Sequence, residues 1–212
     1  MFADHTLLRH LCLIQRHAFS ARPSTSFLRY RRRIHQRSVM SDPTCTNKSN
    51  LTTAQEERRW NRMSIQMQNF HNHFKLEFNA LYEMADGSFN KRGLSLGLYL
   101  RQAEQLQRQL TLHHTIEERH IFPILAKRMP SFRNDEAHIK SHHGIHEGLD
   151  KLAQLLHKWK VEPSAYSPQE MRESLDSWRE VLFKHLDEEV NDLSGENMKK
   201  YWTLEEMDIL PM

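Results

Sequence analysis

Along four stretches of this chain, apolar residues recur every three or four positions, and histidine or glutamate repeatedly takes an apolar position without breaking the phase. That spacing places side chains on one face of an α-helix. The chain is therefore committed to helices whose buried faces carry titratable groups.

The first stretch, from about Ala54 to Ala85, has a spine of Trp60, Met63, Met67, Phe70, Phe74, Phe78 and Leu81, with His71 beside Phe70. His73 is the competing inward histidine, but it lies about 200° further round and belongs at the edge or outside. The second, from about Leu94 to Lys127, runs through Leu96, Tyr99, Ala103, Leu106, Leu110, His113 and Glu117, then Ile124. His114 and Glu118 fall off that spine, on the flank. The third, from about Asn134 to Lys160, gives Ile139, His142, His146, Leu149, Ala153 and Leu156. The fourth opens at Ser167-Pro168-Gln169-Glu170, a cap, a helix-starting proline and a capping-box glutamate. Its spine is Met171, Leu175, Trp178, Leu182, His185 and Glu189, ending near Ser194-Gly195.

No stretch alternates as a strand does. Short connections between long helices favour antiparallel neighbours, so the expected fold is all-α, an up-down-up-down four-helix bundle. Pro123 removes one backbone bond near the end of the second helix and should kink or finish it.

Five histidines and two glutamates thus face the core. Burying one unpaired imidazole costs on the order of 1–3 kcal/mol, and an unpaired carboxylate costs more. Seven scattered groups would exceed the roughly 5–15 kcal/mol that holds a typical domain folded. They must compensate one another, and their chemistry suits metal cations. A single H-x-x-x-E is ordinarily a surface pair; three in-phase pairs and His71, each on its own helix, are not. His120, His138, His143 and His157 have no such support and read as ordinary surface or satisfied core histidines.

Composition narrows the rest. Only Cys12 and Cys45 occur, with no C-x-x-C, which leaves no disulfide framework or cysteine zinc site. The net charge of +3 is misleading: residues 1–40 hold eight arginines and one acid, so the remainder is net negative. A nucleic-acid footprint on the folded part is not expected, nor is a membrane span. The tail has the composition of a mitochondrial transit peptide. Two alternatives stand beside that reading: a disordered basic arm, or translation beginning at Met40 and a cytoplasmic protein. Residues 41–53 read as a linker, 54–194 as the bundle and 195–212 as a C-terminal extension. His146-Glu147 continues Gly-Leu-Asp, which lacks the second histidine of H-E-x-x-H zinc hydrolases. With six glycines in all, no phosphate-cradling loop is visible.

His113/Glu117 followed by Glu118 and Ile121-Phe122-Pro123, then His142/His146, then His185/Glu189, resemble the hemerythrin-like, or HHE cation-binding, domain. The resemblance covers roughly Trp60 to Asn191, and the closing YWTLEEMDILPM is similar to the end of fungal members. It implies a non-haem di-iron centre. His142, His146 and His185 would hold one iron, His71 and His113 the other, and Glu117 and Glu189 would bridge. Of about twelve positions on two octahedral irons, these ligands and a bridging oxygen fill about eleven, leaving room for dioxygen or a similar ligand. Oxygen-carrying members place aspartate five residues after the last histidine. Here that position is Val190, and Glu189 takes its place one residue earlier. Three uses of such a centre follow: an oxygen carrier, sensor or iron handler; an enzyme acting on oxygen, peroxide or nitric oxide; or an iron-dependent interaction module.

Overall fold

A computed structural model of the chain describes residues 47–133 and 137–212, with side chains from residue 53 onward. The readings made for residues 1–40 lie outside the described residues. Within them the chain is helical throughout and has no strand. No helix there is long and apolar enough to cross a membrane.

The first stretch becomes two helices, α1 (Asn47–Trp60) and α2 (Arg62–Met84). It starts earlier than the expected Ala54 and pauses at Asn61. That side chain folds back to donate to the Glu57 carbonyl and accepts from the Gly195 N–H, both at 2.9 Å. A short amide that competes with the backbone for partners loosens a helix at that point. Beyond Met84 the chain reverses through Gly87 and Gly93, whose φ of 91° and 76° suits glycine. Ser95 then caps α3 (Leu96–Ile116), its hydroxyl accepting from the Leu98 N–H.

A π-turn over Glu117–Ile121 follows, leading into α4 (Phe122–Leu125). The wide turn closes with the Phe122 N–H on the Glu117 carbonyl, just before Pro123, which has no N–H to offer. The extra residue shifts the phase. Ile121, Phe122 and Leu125 are buried, whereas Ile124, expected on the spine, is half-buried.

The third and fourth long helices are α5 (Ala137–Val161) and α6 (Pro168–Asp192). Ser167 caps α6 as expected, accepting from the Glu170 N–H. Glu170 does not reciprocate; its carboxylate takes Lys158 instead, at 3.0 and 3.2 Å. In α5 the buried seam is His138, His142, Ile145, Leu149, Leu152, Leu156 and Trp159. Ile139, His146 and Ala153 sit at its edge, half-buried. Two candidate seams share His142, Leu149 and Leu156, and the packing of Trp159 and Gly148 selects between them. A Cβ on Gly148 would lie 2.3 Å from Trp178 Cγ, so glycine is what lets α5 approach α6.

The long helices pack in a ring: α2 against α3 and α6, and α5 against α3 and α6. Contacts descend on one helix as they rise on its neighbour. Lys75 meets Asp187 and Tyr82 meets Asp176; Glu104 meets Lys160 and Glu118 meets His142. One half of the core is apolar, with Phe78 edge-on to Trp178 at 4.9 Å. The other half carries the polar cluster.

Two short helices close the chain, α7 (Gly195–Met198) and α8 (Leu204–Ile209), the latter with a complete Thr203/Glu206 capping box. Met198 and Met207 are buried. Arg128 grips Glu206 at 2.7 and 2.8 Å and lies over the Trp202 ring.

Candidate metal centre

Six of the seven residues singled out in the sequence are buried, and their ligating atoms converge. His71, His113, Glu117 and Glu189 offer atoms within 4.8 Å of one another, and so do His114, Glu117, His142 and His185. Glu117 belongs to both groups. His146, the seventh, belongs to neither; it is half-buried, its ring edge-on to His114 at 5.3 Å between centroids.

The histidine tautomers can be read from their outer partners. His71 Nδ1 lies 2.7 Å from the Leu186 carbonyl, which can only accept, so Nδ1 carries the proton. His142 Nδ1 lies 2.7 Å from Glu118 Oε1, with the same consequence. Asp192 Oδ2 takes the Nε2–H of His138 at 3.0 Å. That leaves His138 Nδ1 as an acceptor for His185 Nδ1, at 3.5 Å, the outer edge of hydrogen-bond range. Each of His71, His142 and His185 therefore turns an Nε2 lone pair inward. Those of His142 and His185 are 3.0 Å apart, and His71 Nε2 is 3.1 Å from His113 Nε2. Two lone pairs as close as those of His142 and His185 repel unless a cation lies between them.

The carboxylates face both histidine pairs. Glu117 places Oε1 2.9 Å from His113 Nε2 and Oε2 3.6 Å from His142 Nε2. Glu189 Oε2 is 3.4 Å from His71 Nε2 and 3.8 Å from His185 Nε2. Despite these approaches, all four carboxylate oxygens lack an aligned hydrogen bond, and so do both ring nitrogens of His114. Buried polar groups normally have partners; here Glu117 and Glu189 are close enough to share a proton with each other, and the lone pairs gathered around them are ones a cation would satisfy.

Burial sets the electrostatics. Desolvation holds His113 down to about 3 and His142 to about 2, and pushes His71, His114 and His185 well below the usual imidazole range. The same loss of water raises Glu117 and Glu189 well above the usual carboxylate range. A bound cation would reverse this for the acids. Asp192 is held low chiefly by its hydrogen bond from His138.

The sequence reading missed His114, which is wholly buried and stacked on His142 at 4.0 Å, not on the flank. Its signal was present. Taking Leu110 as the centre of the face, His113, His114 and Glu117 lie about 60°, 40° and 20° away, all inside the stripe of roughly 100° that a core-facing helix buries. His73 points outward and pairs with Glu77 at 3.2 Å, which leaves His71 as the inward histidine of α2. Phe70 and Phe74 cover His113, and Phe122 stacks on His142.

Comparison with known proteins points to cation binding. The model of the hemerythrin HHE cation binding domain matches residues 64–195, more than half of the chain. A "Dimeric xanthone biosynthesis cluster protein R11" from Cryptosporiopsis sp. (strain 8999) is 31% identical over 103 residues, 46% of this chain and 38% of that protein. The chain thus spans well under half the length of that relative. No solved structure matches.

Proposed function

Because the chain belongs to the hemerythrin HHE cation-binding family, we propose that it is an up-down-up-down four-helix bundle holding a non-haem di-iron centre that binds dioxygen or a related small ligand. His71 and His113 would hold one iron and His142 and His185 the other, with a third imidazole from His114 or His146. Glu117 and Glu189 would lie between the two.

One observation carries this reading: inward lone pairs of His142 and His185, 3.0 Å apart, beside two carboxylates without aligned partners. The donor set, imidazoles and carboxylates with no cysteine, suits non-haem iron.

Bound iron would supply a reversible change of charge and a coordination position for the ligand. The protein's part is to aim nitrogens, fix their tautomers and exclude water. Leu186, Glu118 and His138 hold the rings by their outer nitrogens, and Phe70, Phe74 and Phe122 screen them. Protein prepared without oxygen should contain about two irons per chain and develop, on airing, an absorption band that azide shifts. One zinc per chain and no such band would defeat the proposal.

The likeness to a biosynthesis cluster protein favours enzymatic use of the same centre as a second reading. Turnover of peroxide or nitric oxide well above that of free iron would establish it.

A further inference from the structure

The two halves of the centre are backed differently. On the His71/His113 side, the outer nitrogen of His71 meets a neutral backbone carbonyl, at Leu186. On the other side both outer nitrogens lead to carboxylates. His142 meets Glu118 directly at 2.7 Å. His185 reaches Asp192 through His138, in steps of 3.5 and 3.0 Å. The second side also has the extra imidazole of His114, fully buried with neither nitrogen partnered.

A carboxylate behind an imidazole raises its basicity and fixes its orientation, and removing such a partner ordinarily costs about 10–100-fold in metal affinity. A backbone carbonyl fixes orientation without contributing charge. Resting on the di-iron reading, we propose that the two metal positions are unequal: the one at His114, His142 and His185 fills first and holds its metal more tightly, because Glu118 and the Asp192–His138 chain strengthen its donors. Glu118 and Asp192 are then positioning residues for one metal and not for the other. Their side chains are 40% and 30% exposed, so neither is needed to fill the core.

The test is a calorimetric titration of the metal-free full chain with ferrous iron under anaerobic conditions, repeated with cobalt(II) followed by absorbance. Two equivalents should bind in two steps, the first at least about tenfold tighter. Glu118→Gln and Asp192→Asn keep size and an acceptor oxygen but remove the charge. Each should weaken the first step by about 10–100-fold and leave the second unchanged. A purely structural role would show the reverse, normal affinity in these isosteric variants. His71→Ala should abolish the weaker step alone. Two equivalents of equal affinity, or unaltered binding in both isosteric variants, would overturn the inference while leaving the di-iron reading intact. A single equivalent in the unmodified protein would overturn both.

Discussion

The apolar and polar halves of the helical core are buried to the same extent by the same four helices. Phe78, Leu106, Leu152 and Leu175 are inaccessible to solvent, and so are His114, His185 and Glu189. They differ in whether burial is its own reward. In the apolar half, removal from water and close contact stabilise the fold directly. In the polar half, burial strips water from imidazoles and carboxylates and, among the described residues, leaves six of their atoms without partners. The apolar half also holds buried groups without partners, the indole N–H groups of Trp159 and Trp178 and the Ser174 hydroxyl, but they are dispersed among apolar contacts, whereas the six of the polar half converge on one place.

Substitutions in each half, and pH, should separate the two kinds of burial. The largest effect is expected from Gly148→Ala. Its new methyl would lie 2.3–2.5 Å from three Trp178 atoms, including Cβ, so helices and not a flexible tip must move. The cost should be about 3 kcal/mol or slightly less, seen in denaturant titrations with and without metal alike. If it appeared only in the loaded protein, the two halves would not be independent.

His185→Ala should do the opposite. It should remove the metal of its own position and lower the melting temperature of protein prepared with iron toward that of the metal-free parent, because binding free energy is folding free energy here. Equal melting points for loaded and metal-free parent would remove the basis of the comparison.

His114→Ala against His146→Ala is a finer cut. By burial and missing partners, His114 should cost more metal than His146. The reverse order, measured by metal analysis, would restore His146 as the third imidazole. His143→Ala, on the exposed face one residue after His142, should change neither metal content nor stability.

The smallest effect is a pH dependence confined to the metal-free form. The buried histidines have folded values depressed below 6.5, so the unfolded chain binds more protons and stability falls as pH drops below 6.5 toward about 3. Glu117 and Glu189 have raised folded values, so their contribution is full below 4.5 and is lost as pH rises. The two trends oppose each other, and the five histidines outnumber the two acids, so metal-free melting temperature should rise from pH 4.5 to 6.5. Bound metal should flatten that rise, because it keeps its imidazole ligands unprotonated. A flat metal-free profile over that range would contradict the buried placement of the histidines.

Much of this protein was legible in its sequence because helical periodicity is a local property. The seam of α6, from Met171 through Trp178 to Glu189, is the one its spacing announces, and so is the Ser167 cap. His71, His113, Glu117, His142, His185 and Glu189 were marked as inward by phase alone, since a side chain that keeps an apolar register shares the buried face of its helix whatever its polarity. What the spacing could not supply was rotation by a fraction of a residue. In α5, two seams about 50° apart share His142, Leu149 and Leu156 and fit the same apolar pattern, and the close approach of Gly148 to Trp178 decides between them. That choice turns Ile145 inward and leaves His146 at the edge. The π-turn at Glu117 likewise resets which residues before and after Pro123 face the core. The identity of the buried faces follows from the order of residues along each helix, but which of two neighbouring histidines meets its counterpart depends on contacts between helices far apart in the chain.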